Sequence, residues 1–429
     1  MPAIWLIDAY RAGERRQVRA LATAASGALG WPCRTLQLGY RQGVFWPHLL
    51  RQASLAGVQR ADRHKLSAPW PDLVITAGVR NEPVARWLRR ASGGRTRYVH
   101  VGRPWGRLQD FDLLVTTPQY RVPRHPKVLH NDLTLHDLTA GGLAHSAATW
   151  EPRFAPLPRP WIGVLIGGDS GPYTFGPRAA DRLLDQAMAA ARRCGGSLLI
   201  ATSARTAPSV NARLQRRLAA APAACPHDLY CWTEGGSGHS GAGSAQGSGE
   251  RDGNPYPGIL ALADAFVVSA DSIAMLSEAC ATGRPVCMFD SGGMRRDAAR
   301  HAGGEGALAG APANVPADLP VDGPRDWRLG GALFAQLIRW FPDAWSRDIS
   351  LVHRALADSG RARWLEPGGL AFGADGDPCP GDPASTNTIL PPGSCSSPGT
   401  LSSPGTLSSP DMQRALARLE ALVRDRADP

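Results

Sequence analysis

Residues 161–206 read WIGVLIGGDSGPYTFGPRAADRLLDQAMAAARRCGGSLLIATSART. Ile162 to Ile166 is a short apolar run and reads as a strand. Gly167-Gly168-Asp169-Ser170-Gly171 follows as a loop, and Pro177 is placed for a helix start. Leu183, Leu184, Ala187, Met188 and Ala191 then recur on one helical face before a second strand at Leu198 to Ala201, which ends in Thr202-Ser203-Ala204-Arg205-Thr206. Strand, loop, helix and strand in this order predict a parallel sheet covered by helices.

The same alternation runs outward in both directions. Upstream, Ile4 to Ile7, Leu73 to Ala77, Tyr98 to Val101 and Leu113 to Val115 read as strands, with helices carried by Val18, Leu21, Ala22, Ala25 and by Pro83 to Arg90. Downstream, Leu229 to Trp232, Phe266 to Ser269 and Val286 to Phe289 read as strands, with helices at about Asn211 to Ala220 and Ser272 to Ala281. The fold class expected is α/β, two Rossmann-like parallel-sheet domains facing a cleft.

The expected domains are 1–150, a basic N-terminal Rossmann-like domain, and 161–372, a second Rossmann-like domain, joined by the proline-rich linker 151–160. Residues 235–253 are mostly Gly and Ser, and 373–410 contain SSPGTL twice in succession; both read as disordered insertions. Beyond them Met412, Ala415, Leu416, Leu419, Leu422 and Val423 form an apolar stripe, so 411–429 is expected to be a helix that docks back onto a domain.

The 429 residues are 43% hydrophobic and 20% charged, which is ordinary globular composition and excludes a small scaffold stapled by disulfides or metal. No apolar run reaches the ~18 residues of a spanning helix, and Asp8 interrupts the first apolar stretch, so a cytoplasmic protein is expected. Eight dispersed cysteines show no zinc spacing and suit core packing in a reducing compartment. No metal and no cofactor are expected.

Arginine supplies 45 of the 47 basic residues; the lysines are Lys65 and Lys127. Residues 1–150 carry 21 Lys+Arg against 9 Asp+Glu, a net +12 where the whole chain has +10. That half suits an anionic ligand, a membrane surface or nucleic acid. No helix-turn-helix, RNA-recognition or zinc signature accompanies it, so nucleic acid is set aside and a solvated face, or one that meets anionic lipid, is preferred.

In open α/β sheets, ligands sit beyond the carboxyl ends of the strands. There, Gly167 and Gly168 let backbone amides approach a phosphate closely, or simply make a tight turn. Ser203, Arg205 and Thr206 offer hydroxyls and a forked cation to the same edge, unless Arg205 is only a loop arginine. Ser272 stands where it could cap a helix, and Glu278 on that helix could accept both hydroxyls of a ribose, or be a solvated residue. The spacing matches neither the Gly-x-Gly-x-x-Gly nor the Walker A loop, and no Tyr-x-x-x-Lys base is present, so dinucleotide, P-loop and short-chain epimerase readings are dropped. Asp110-Phe111-Asp112 imitates a metal motif but precedes its strand, and reads as a surface turn.

The Gly-rich loop, the Ser/Arg/Thr loop and Ser-x-x-x-x-x-Glu-Ala with a following Gly-x-Pro resemble the nucleotide-sugar half of GT-B glycosyltransferases. At closer range WLIDAYRAGERRQ, PDLVITAGVRNEP, FDLLVTTPQY, VLIGGDSGPYTFG, LLIATSARTAP and NPYPGILALADAFVVSADSIAMLSEACATGRPV resemble the bacterial relatives of the plant elongated-mitochondria fission factor, the DUF1022-type family, over residues 4 to about 372. The resemblance implies a GT-B-like fold, a nucleoside-diphosphate sugar held by Gly167, Gly168, Ser203, Arg205, Thr206, Ser272 and Glu278, and an acceptor or partner side marked by Gly13, Gln17, Gly78 and Arg80. Between Gly13 and Gln17 this chain has Glu14-Arg15-Arg16 where the family commonly has a His or Asn after the glycine. Asp8 and Glu14 are therefore the positional candidates for a catalytic carboxylate, against capping or salt-bridging. Two functions follow as expectations: a metal-independent glycosyltransferase with unknown acceptor, or a non-catalytic scaffold of the same fold that binds a protein partner or sits peripherally on a membrane.

Overall fold

A computed structural model describes residues 1–41, 43, 52–220, 225–233, 253–300, 326–331, 333, 336, 347–366 and 409–424. They form two compact units: the described residues of 1–137, 341–352 and 408–429, and the described residues of 138–340 and 353–407.

The first unit runs β1 (Ile4–Ile7), α1 (Ala12–Leu29), β2 (Cys33–Leu36), β3 (Leu73–Ala77), α2 (Glu82–Ala91), β4 (Arg97–Val101), β5 (Leu113–Thr116) and β6 (Val128–His130). All neighbours pair parallel, in the order β2-β1-β3-β4-β5-β6. β1, β3 and β5 are buried along their whole length, as uninterrupted apolar runs in a two-sided parallel sheet should be. The α1 stripe Val18, Leu21, Ala22 and Ala25 packs on Ile4, Leu6, Ile75 and Val99, and Gly30, at φ +67°, ends the helix.

Met412, Ala415 and Leu419 of a late helix, Pro410–Arg424, join that same core, so the stripe does dock, and it docks on the first unit. Asp411 fixes its start by accepting the backbone N–H groups of Asp132 (3.2 Å) and Leu133 (3.0 Å).

The second unit runs α3 (Ala140–Phe154), β7 (Trp161–Ile166), α4 (Pro177–Cys194), β8 (Ser197–Thr202), α5 (Pro208–Ala219), β9 (His227–Tyr230), α6 (Tyr256–Leu262), β10 (Ala265–Ser269), α7 (Ile273–Ala281), β11 (Val286–Phe289), α8 (Met294–Arg300) and β12 (Arg363–Trp364). Its sheet is also parallel, in the order β12-β11-β10-β7-β8-β9. The architecture is two Rossmann-like α/β units.

The boundary differs from the expected 150. Residues 138–150 belong to the second unit, and Glu151 to Phe154, expected as linker, form the last turn of α3 with Pro152 inside the helix. The cause is packing: Phe154 is fully buried, Arg153 makes a two-point ion pair with Asp228 (2.7 and 3.0 Å), and Trp150 lies so close to α6 that a Cβ on Gly258 would come within 2.4 Å of it. Residues 347–352, expected in the second domain, group with the first unit, where Asp348 N–H donates to Gln119 O (2.8 Å). The tracts 235–252 and 373–408 lie outside the described residues.

No helix among the described residues is long and apolar enough to cross a membrane. The six described cysteines are free thiols. Asp112 of the Asp-x-Asp sequence accepts Tyr98 N–H (2.8 Å) and pairs with Arg89 (3.2 Å), which accounts for it structurally.

Candidate functional site

Counted from β7, the second sheet has the order 3-2-1-4-5-6, so its winding reverses between β7 and β10. The loop after β7 and the turn after β10 meet at that switch point. Gly167 N–H donates to Ser269 Oγ (2.7 Å), and Gly168 N–H donates to Asp271 Oδ2 (2.8 Å). Arg205 reaches the same carboxylate oxygen with Nη2 (2.9 Å) and holds Asp169 O with Nη1 (3.0 Å).

Ser203 Oγ donates to Gly167 O (2.9 Å), and the Thr206 hydroxyl donates to the same carbonyl while accepting Ser203 N–H (3.0 Å). Close approach is what demands the glycines: a Cβ on Gly168 would stand 2.1 Å from Arg205 O, and one on Gly167 2.2 Å from Asp271 Oδ2. Gly167, Gly168, Ser203, Arg205 and Thr206 are thus one cluster, built around Asp271. The two glycine amides face inward, to Ser269 and Asp271, where the sequence suggested they would face a phosphate.

Asp271 is the residue the sequence reading passed over. Burial pushes its carboxyl above the ordinary 3.8, and Arg205 and the Gly168 amide pull the other way. Its Oδ1 is enclosed and has no hydrogen-bond partner. Asp271 holds Arg205 at the edge of the sheet, with 42% of the arginine side chain open to solvent.

Ser272 is the N-cap residue of α7, but its side chain makes no capping bond. The first amides of α7 therefore have no side-chain cap there, and such a helix start favours an anion. Glu278 lies about 8 Å further along α7. It is buried and accepts the hydroxyl of Tyr256 through Oε2.

In the first unit, Asp8 is almost enclosed and ion-paired: Arg19 reaches it with Nη2 (2.5 Å) and Nε (3.3 Å), and Arg15 Nε stands 3.5 Å away. Glu14, in the first turn of α1, sits over Gly78, where a Cβ would come within 2.9 Å of its Oε2. Burial raises the Glu14 carboxyl above its ordinary value, opposed by Arg11 and then Arg347. Arg80 lies over the Tyr10 ring at 5.0 Å, so Glu14, Gly78 and Arg80 share one place. Gly13 and Gln17 stand on the outer part of α1, linked by Gln17 Nε2 to Gly13 O (3.2 Å). No group of three or more metal-ligating side chains occurs among the described residues.

Fold and site define a two-unit Rossmann-like α/β protein with a basic first half and a polar, arginine-bearing cluster at the switch point of its second sheet. Comparison with known proteins narrows that class. The sequence model of the mitochondrial fission ELM1 family matches residues 12–318, and the chain belongs to that family. It is 28% identical over 257 residues to the mitochondrial fission protein ELM1 of Arabidopsis thaliana, and spans about half the length of that relative (55% of each chain). Among solved structures it is similar to MurG of Acinetobacter baumannii (TM-score 0.35, 12% identity, 85% of this chain and 96% of that one). It is also similar to Arabidopsis thaliana UGT89C1 complexed with UDP (TM-score 0.38, 13% identity, 67% and 79%).

Proposed function

We propose that the second unit binds the nucleoside diphosphate of an activated sugar at the β7/β10 switch point, and that the protein is a GT-B-type glycosyltransferase whose transfer needs no metal. The observation that carries this reading is the start of α7, uncapped by Ser272 and directly following Asp271, which holds Arg205 in place. Helix amides and a guanidinium are the groups that stabilise a leaving diphosphate. Glu278, with Tyr256, is the candidate for the ribose hydroxyls.

Of the two carboxylates, Glu14 suits the acceptor proton better, because burial raises its affinity for a proton and Asp8 is committed to Arg19. The same commitment of Asp8 favours a second reading, a non-catalytic scaffold that binds a protein partner or membrane surface, as does the fission protein name of the Arabidopsis relative.

Thermal-shift and calorimetric titrations with uridine, guanosine, adenosine and cytidine diphosphates separate the two. At least one should stabilise the protein, and Arg205→Ala should weaken it about tenfold or more. If none of the four shifts the wild type, the scaffold reading replaces the enzyme.

A further inference from the structure

The first sheet has a switch point of its own, between β1 and β3. The chain leaves β3 through Gly78 (φ +84°) and β4 through Gly102 (φ +95°), backbone conformations that glycine adopts without steric penalty. A Cβ on Gly102 would lie 3.9 Å from the Tyr120 ring, and one on Gly78 would meet Glu14 and Tyr10.

Positive charge gathers over this floor. Arg11 (5.4 Å) and Arg80 (5.0 Å) both lie near the face of the Tyr10 ring, which is partly open to solvent. Arg11 Nη1 stands 3.7 Å from Glu14 Oε1, Arg103 lies over the Trp105 ring (4.9 Å) just past Gly102, and the Tyr120 hydroxyl, whose acidity burial lowers, is within electrostatic reach of Arg347, Glu14, Arg11 and Arg103. Arg347 is held there from the side, its Nε donating to Gln119 Oε1 (2.7 Å) while Gln119 Nε2 donates to Thr117 Oγ1 (2.8 Å). Arg121 stands beside it at φ +49°, paired with Asp348 (2.5 Å).

Like charges held together repel, and a surface group in which guanidinium groups outnumber the carboxylate draws an anion. The carboxylate inside the group is Glu14, and its Oε2 is shut from water with no hydrogen-bond partner.

We propose that this is a second ligand site, for a phosphate-bearing molecule, in which Arg11, Arg80, Arg103 and Arg347 receive the phosphoryl oxygens above Gly78 and Gly102. Forked guanidinium groups suit that geometry. All of these residues belong to the first unit, so the site does not depend on the donor reading. If that reading holds, the ligand here is the acceptor, and its class is a phosphate ester with a free hydroxyl for Glu14. A soluble ester and a lipid headgroup share this chemistry.

The full chain is titrated calorimetrically with sn-glycerol 3-phosphate, with glycerol as the neutral control, and sedimented with vesicles of phosphatidylglycerol or of phosphatidylcholine. The ester, the phosphatidylglycerol vesicle or both should bind, and glycerol and phosphatidylcholine should not. Arg80→Ala and Arg347→Ala should each weaken binding at least tenfold, Arg347→Lys less, and Arg205→Ala should leave it unchanged. Ester binding without vesicle binding assigns a soluble ligand; vesicle binding that Arg80→Ala abolishes assigns a headgroup. If Arg347→Ala does not fold, the partly exposed Arg80 decides alone. Undiminished binding by folded Arg80→Ala, or no binding of ester or anionic vesicle by the wild type, overturns the proposal. Failure of Arg205→Ala to affect nucleoside diphosphates would instead strike the donor reading.

Discussion

Asp271 offers the sharpest test of how the second unit's site is built. Replacing it by alanine removes the acceptor of the enclosed Gly168 N–H, and an orphaned buried donor costs about 1–3 kcal/mol. Arg205 also loses its partner, but 42% of its side chain is exposed and can rehydrate, so that contact adds about 0–1 kcal/mol. Asp271→Ala should therefore destabilise the second unit by about 1–4 kcal/mol.

Asp271→Asn is a different perturbation. It keeps an oxygen for Gly168 and Arg205, places its amide where Oδ1 has no partner, and removes a charge that burial penalises, so a change of within about 1 kcal/mol is expected. The pH dependence follows from the direction of the shift. The native carboxyl titrates above the unfolded value of 3.8, so the native state holds more protons between the two values and stability falls as pH rises through that window. The asparagine variant lacks this slope. Urea midpoints followed by tryptophan fluorescence from pH 4 upward, on the order of one unit per step, should show the wild type losing ground to Asp271→Asn as pH rises. An asparagine variant as damaged as the alanine variant, or a wild type that gains on it with pH, would refute the reasoning.

Glu82 is enclosed, accepts Trp105 N–H (2.8 Å) and Gly106 N–H (2.7 Å), and pairs with the buried Arg86 (3.1 Å); Glu82→Ala should cost about 3–5 kcal/mol in urea unfolding and Glu82→Gln distinctly less. Leu419→Ala, at a fully buried position of the late helix, should cost about 2–5 kcal/mol and increase proteolysis of residues 409–424 measured by mass spectrometry.

The central strands were legible because a strand covered on both faces must be apolar throughout: Ile4–Ile7, Leu73–Ala77 and Val286–Phe289 begin and end where the apolar runs do. Cys33–Leu36, Val128–His130 and Arg363–Trp364 escaped notice because they are edge strands of two to four residues that mix polar with apolar side chains. The Trp150 and Phe154 face of α3 was hidden by the prolines around it, which read as a linker although Pro152 sits inside a helix. At the site, the loops of Gly168 and Arg205 were visible as small and polar residues at strand ends. Their shared partner was not. Asp271 lies within the stretch that drew attention to Ser272, but a carboxylate at a strand end looks like an ordinary turn residue, and its contacts are 66 and 103 positions away in sequence. The basic group around Tyr120 was hidden for the same reason, since Arg11, Arg103 and Arg347 come from separate parts of the chain.

The helix Pro410–Arg424 completes a core whose other members are made first. At ribosomal rates of roughly 5–20 residues per second, the apolar face that Met412, Ala415 and Leu419 cover waits tens of seconds for its last layer. During that interval the growing chain presents an uncovered apolar surface, and surface of that kind promotes aggregation. The second half, whose described strands are synthesised before that helix emerges, can fold while the first is still unfinished.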